Sequence, residues 1–469
     1  MPGVRRASRP SAHSLGAAIK ECGRAKQWSA ALQLFREASQ LRVEVGGNHY
    51  NAIVSVCGRG RQWQQALWLL GETAEASLEL DVVSCSVGIS ACERGGQWQR
   101  ALALLREMRE AKIEPNVILS YSAGISACEK GAQWQRALAL LSEMREAESE
   151  PNTISFNAGI SACEKCEQWE RALALFGEAR DANVELDLVS YNAGISACEK
   201  GRQWHQALLL LSRLREANVE PGVISYNAGI SACEKGEQWQ RALALLSEMW
   251  EVKIEPDVIS YNAGISACGN GLRWQGALAL LSEMWEVRLE PHNFSYCAGI
   301  WACERGEQWQ RALALLREMR EAKIYTNVIS YAAGISACGK GNQWKRALVL
   351  LSEVREVKLN LDVMSYSAAI SACEKGEQWQ GALALLGEMR EEKLEPSVIY
   401  NSGVSACEKG RQWQRALALL REMRRARPEP DDTCATPPRE ARPHEGRAAR
   451  APRAPLGRSA GYAEGPNAP

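Results

Sequence analysis

The chain has 469 residues, with 56 basic and 56 acidic side chains, and so carries no net formal charge at pH 7. Hydrophobic residues make up 46% of it, too many for a wholly disordered chain, yet apolar runs stay as short as 101–105, which excludes a transmembrane helix. Neutrality argues against a protein that coats nucleic acid by charge alone, and 16 Trp against 4 Phe and 11 Tyr means that some unit copies tryptophan.

Residues 1–11 hold Arg5, Arg6 and Arg9 and no acid, a basic segment compatible with the remnant of an organelle transit peptide. From there the chain repeats itself. Trp28, Trp63, Trp98, Trp134, Trp169, Trp204, Trp239, Trp274, Trp309, Trp344, Trp379 and Trp413 recur every 35 residues, with one residue gained near Leu119 and one lost near Ile399. Twelve cysteines keep the same beat, from Cys22 and Cys57 to Cys373 and Cys407. One cysteine per unit is no disulfide framework, because neighbours one helix diameter apart, about 10 Å, lie beyond bridging distance. They read as reduced, buried, small apolar residues. A fixed period of this size means a solenoid, so 12–431 is expected to be twelve units of one kind.

The unit is cleanest over 223–257. Tyr226, Ile230 and Cys233 fall at helical spacing and predict a first helix, which Gly236 ends. A second helix is predicted from about Gln238 to Val252, with Trp239, Ala242, Leu243, Leu246 and Met249 as its apolar stripe. Pro256 closes the unit. Each unit is thus a helical hairpin that buries its apolar faces only against its neighbours. Gly229 recurs inside the first helix at a cost of about 1 kcal/mol, which suggests that it makes room for an indole. From Pro428 the chain turns rich in proline, alanine and arginine, and 432–469 reads as a disordered tail.

These units resemble the pentatricopeptide repeat, in a P-type array: an opening V-x-[ST]-Y-N, a central K-x-G, A-L-x-L-[LF]-x-E-M in the second helix, and a closing P-D. Val223, Ser225, Tyr226, Asn227, Lys235, Ala242, Leu243, Leu246, Glu248, Met249, Pro256 and Asp257 supply those positions. Gly229, Trp239 and Lys253 depart from it. The resemblance implies an all-α, right-handed superhelical solenoid that binds single-stranded RNA, one base per repeat. It implies that the second residue of each unit stacks on a base: Val83, Leu119, Ile154, Val189, Ile224, Ile259, Phe294, Ile329 and Met364. The first two units have His13 and Asn48 there and read as a degenerate cap.

The resemblance also implies that the fifth and last residues of a unit select the base. Asn51 with Asp81, Asn157 with Asp187, Asn227 with Asp257 and Asn401 with Asp431 resemble the uracil pair. Ser86 with Asn116 and Ser122 with Asn152 resemble the adenine pair. Asn192 with Gly222 and Asn262 with His292 keep only the pyrimidine-leaning asparagine. Cys297 with Asn327, Ala332 with Asp362 and Ser367 with Ser397 have no assignment, and Gly16 with Gly46 offers no hydrogen-bonding side chain. The implied role is organellar RNA processing, stabilisation or translation, in the chloroplast or alternatively the mitochondrion, without catalysis or cofactor, and in company with other RNA-processing proteins.

The residues allow plainer readings. An Asp or Asn just before a helix is an ordinary N-cap. Cys163 and Cys166 form half a redox or zinc motif with no second half, and the five histidines show no metal spacing. The two ends carry about +3 each, which leaves roughly −6 on 12–432 and predicts weak or strongly salt-dependent RNA binding. An α-solenoid scaffold for protein partners fits that charge better, and a repeat array without selective activity fits the uninformative pairs. No H-x-E with C-x-x-C of a deaminase is present.

Overall fold

The computed structural model describes 12–425, apart from 26, 42–44, 76–80, 112–116, 148, 358, 360, 393 and 395–399. The basic segment 1–11, the tail 432–469, and Asn116 and Asp431 of the expected pairs lie outside the described residues. The described residues form twenty-four α-helices and no strand. They alternate as first and second helices of hairpins, such as Val223–Lys235 with Trp239–Glu251 and Val258–Asn270 with Trp274–Glu286. The chain is an all-α solenoid of about twelve helical hairpins.

Local chemistry sets each boundary. The first helix starts where an Asp or Asn side chain accepts the backbone N–H three residues on, as Asp187 does from Ser190 at 3.0 Å and Asp257 from Ser260 at 2.9 Å. It ends in a tight turn in which the Gln238 N–H reaches back to the Cys233 carbonyl at 2.8 Å. The left-handed residue of that turn is Glu237, at φ 58°, while Gly236 sits at φ −86°. Glycine is therefore not at Gly236 for its backbone freedom. The equivalents Arg202, Leu272 and Glu307 also have φ near +55°, as do Asn218, Lys253 and Arg288 in the links between hairpins. A side chain at such φ costs roughly 1–2 kcal/mol.

The chain divides into two compact units, Met1–Leu361 and Asp362–Pro469. In the first, each first helix between the terminal hairpins packs on the first helices before and after it, on its own second helix, and on the second helix of the preceding hairpin. In the second, the four helices from Val363–Lys375 to Trp413–Arg425 repeat this order. Tyr226, Ile230 and Cys233 are buried from the first helix, and Ala242, Leu245, Leu246 and Met249 from the second. Leu245 thus takes the core place expected of Leu243, which is half-buried. Burial pushes the Cys233 thiol up to about 11, with Arg241 opposing, so it is a packing group and not a nucleophile.

The glycine expectation is corrected. A Cβ on Gly229 would stand 3.3 Å from Leu245 and 3.6 Å from Leu211, so this glycine seats leucines of its own and the preceding second helix. The indoles lie elsewhere, because Trp239 opens its helix and reaches the end of the next hairpin's first helix. A Cβ on Gly271 would meet Trp239 at 2.2 Å, and Gly201, Gly236, Gly306 and Gly341 meet Trp169, Trp204, Trp274 and Trp309 in the same way. Small against large is the right principle applied to the wrong glycine.

Candidate functional site

In nine of the units the second residue carries an exposed apolar side chain. Val83, Leu119, Ile154, Val189, Ile224, Ile259, Phe294 and Ile329 are exposed in the first unit, from 55% at Val83 to 71% at Phe294. Met364 is exposed in the second. Burying one of these aliphatic or aromatic side chains would gain about 1.5–3 kcal/mol, so a regular row left in water calls for a ligand.

Beside this row the structure brings the fifth and last residues of several units together. The Asn157 amide donates to Asp187 at 2.9 Å and the Asn227 amide to Asp257 at 3.0 Å. The Ser190 hydroxyl donates to Asn157 Oδ1, and Ser260 to Asn227 Oδ1 at 2.5 Å. An asparagine offers two N–H donors and two carbonyl lone pairs. Asn227, itself half-buried, keeps one of each. Burial pushes the Asp257 carboxyl up, but hydrogen bonds from the Ser260 N–H, the Asn227 amide and the Ser260 hydroxyl outweigh it, and the group titrates below its ordinary value. Asp187 and Asp81 are lowered in the same way, Asp81 with help from Asn51.

The other expected positions differ. Ser86 and Ser122 are buried, with their hydroxyls 2.8 Å from those of Ser120 and Ser155, and Asn152 caps the helix at Ser155. Asn192 accepts from Ser225 at 2.6 Å, and Gly222 offers it no side chain. Asn262 Oδ1 is buried without a partner, as is Asn51 Oδ1. Asn401 is half-buried in the second unit.

Two ladders of ion pairs join successive hairpins. Lys130 meets Glu93, Lys165 meets Glu129, Lys200 meets Glu164, Lys235 meets Glu199 and Lys340 meets Glu304, at 2.7–3.1 Å. Each lysine thus reaches the preceding unit, Lys130 going to Glu93 although Glu129 is its neighbour in sequence. On the second helices Arg109, Arg145, Arg215 and Arg320 pair with Glu143, Glu178, Glu248 and Glu353. Each such pair contributes at most about 1 kcal/mol.

The first ladder runs from Glu93 to Lys235, is interrupted at Glu234 and resumes at Glu304. Asn270 replaces the lysine opposite Glu234, Gly269 replaces the next glutamate, and Trp301 replaces the serine of G-I-S-A-C. A Cβ on Gly269 would stand 2.9 Å from the Trp301 ring. These departures from the repeat were the available signal. A cavity of about 470 Å³ opens there, lined among others by Glu234, Asn262, Trp301, Ile259 and Phe294. Among the described residues no group of three or more His, Cys, Asp or Glu could hold a metal ion, and no helix is long and apolar enough to cross a membrane.

Stacked helical hairpins, several of which set an exposed apolar residue beside an asparagine–aspartate contact, define a repeat protein of the α-solenoid class. Profiles of the PPR repeat family match 221–270, of the pentatricopeptide repeat domain 68–131, 174–236 and 349–410, and of the PPR repeat 49–76, 154–184, 259–289 and 398–427. Together these span more than half of the chain, which belongs to the pentatricopeptide repeat family. Among curated proteins no sequence matches it. Of solved structures, the pentatricopeptide repeat protein PPR10 from maize is similar over 90% of this chain and 70% of its own, at 18% identity and a TM-score of 0.51, a likeness of fold. PPR10 in complex with an 18-nt psaJ RNA element matches 92% of this chain and 77% of its own at 18% identity and a TM-score of 0.41. The PPR domain of Arabidopsis thaliana protein-only RNase P 1, in complex with tRNA, matches 42% of this chain and 95% of its own at 16% identity and a TM-score of 0.33.

Proposed function

We propose that the chain binds single-stranded RNA, one base per repeat, as a non-catalytic factor in organellar RNA processing, stabilisation or translation, in the chloroplast or alternatively the mitochondrion. Other RNA-processing proteins are its expected partners. The observation that carries the reading is the pairing of Asn157 with Asp187 and Asn227 with Asp257 beside a row of exposed apolar side chains. Bases inserted between successive wedges would cover apolar surface, at about 1–3 kcal/mol each. The amide's spare donor and acceptor would then meet the base edge. Family membership supports the same ligand. A peptide scaffold needs no such polar pair in fixed register.

Read in parallel from the repeat with Asn51, the pairs select U, A, A, U, a pyrimidine, U and a pyrimidine, followed by three unassigned bases and a final U. The buried Ser86 and Ser122 make the two adenine positions the weakest selectors of this series. The test is a swap: Asn227→Ser with Asp257→Asn moves the preference at the sixth base from U to A, by roughly tenfold in Kd, and leaves the other positions alone. Retained preference for U, or equal binding of all RNAs, would count against base reading.

A further inference from the structure

The break in the lysine ladder builds a pocket unlike its neighbours. Glu129, Glu164, Glu199 and Glu304 each face a lysine of the next hairpin, but Glu234 faces Asn270, whose amide donates to the Glu234 backbone carbonyl at 3.0 Å. Its carboxylate has no cation across the interface. Arg305, which would have met a glutamate at 269, lies over the Trp301 ring at 5.3 Å instead. Asn262 also lines the pocket, and its side-chain carbonyl is buried without a partner. Ser295, the residue that should donate to it, is engaged by His292: the His292 N–H donates to its hydroxyl at 3.3 Å, and the ring nitrogen Nδ1 lies 3.4 Å away. One cavity is therefore lined by a carboxylate with no cation across the interface and by an asparagine, beside an indole wider than the serine it replaces.

We propose that the eighth repeat binds guanine, held by the Glu234 carboxylate beside Trp301, in place of the pyrimidine that its Asn262–His292 pair implies. This rests on the RNA-binding reading and sharpens it at one position. Guanine alone among the four bases carries adjacent N1–H and N2–H₂ donors, which match the two oxygens of a carboxylate. Uracil and cytosine place an acceptor on the same edge, and adenine has one amino group there. A charge-assisted pair is about twice as strong as a neutral one. The larger purine also covers more of Trp301. Burial, with Lys235 opposing and Glu199 adding, pushes the Glu234 carboxyl up to about 7, so the pairing form predominates at pH 8.

The experiment measures Kd at pH 8 for the full chain with RNAs of the register U-A-A-U-C-U-X, where X is G, inosine, A, C or U. G binds tightest, roughly tenfold better than C or U and severalfold better than inosine, which lacks the N2 amino group. Glu234→Gln abolishes the preference at X. Asn270→Lys does the same by supplying the ammonium that Lys235 gives Glu199, while the first six bases are read as before. C or U bound as tightly as G, with the first six positions still discriminating, overturns the guanine assignment alone. So does a preference for G that survives in both variants. Absence of discrimination at all seven positions overturns it together with the RNA-reading function.

Discussion

Glu234 and Asp257 are both partly buried carboxyls, and their surroundings push them in opposite directions. Glu234 titrates near 7, above its ordinary 4.5, because burial is not offset by a cation across the interface. The native state then holds a proton that the unfolded chain has released, so stability falls as pH rises from about 4.5 to about 7. Glu234→Gln removes that slope. Between pH 5 and pH 8 the wild type should lose roughly 1–2 kcal/mol relative to the variant, after discounting for solvent, as read from denaturant midpoints. A constant difference between the two proteins would contradict this. Asp257 behaves in the opposite sense. Its lowered carboxyl contributes stability above its ordinary value of 3.8, and this is lost as pH falls through the native value. Asp257→Asn, which keeps the cap, should therefore lose less stability than the wild type on acidification below about pH 4.

Helix by helix, the hairpin was legible because its periodicity lies in residues that pack: Tyr226, Ile230 and Cys233 on one helix, Ala242, Leu246 and Met249 on the next. The partner of a given glycine was not legible. In a repeat of 35 residues every glycine has an indole at a fixed offset, and sequence alone does not say which offset is contact. Three dimensions choose Gly271 for Trp239, because the indole opens its helix and faces the end of the next one. A double-mutant cycle checks the pair. Gly271→Ala should cost about 1–3 kcal/mol by overpacking in the wild type and much less in a Trp239→Ala background. Trp239→Ala itself, half-buried, should cost about 2–4 kcal/mol, and should split unfolding into two steps because nearest neighbours carry a solenoid's cohesion. Additive costs, or a variant that melts in one step at the parent temperature, would remove the pair from the account of stability.

At the scale of the whole molecule, charge is organised along the stack. The lysines that end the first helices pair with the glutamate of the hairpin before them. Composition could not reveal this, since it fixes only the sum. With those cations engaged, RNA binding should release few counterions, and log K against log salt should have a slope shallower than about −3, fewer than about four phosphates on a single strand. A steep slope would mean that the ladders open to meet the RNA. The register of the exposed apolar residues and of the Asn157–Asp187 and Asn227–Asp257 contacts was legible through the family resemblance. The site at Glu234 was not, because it consists of three departures, Gly269, Asn270 and Trp301, that acquire meaning only when placed in contact.

The left-handed turns carry a consequence for how such an array can evolve. Arg202, Glu237, Leu272 and Glu307 hold a backbone conformation that glycine adopts freely, and Gly96 shows the cheaper solution in place. None of these residues is a stacking or base-selecting position. Heat tolerance can therefore drift upward one turn at a time, by a few tenths to about 1 kcal/mol per glycine, without changing a letter of the sequence the molecule would read.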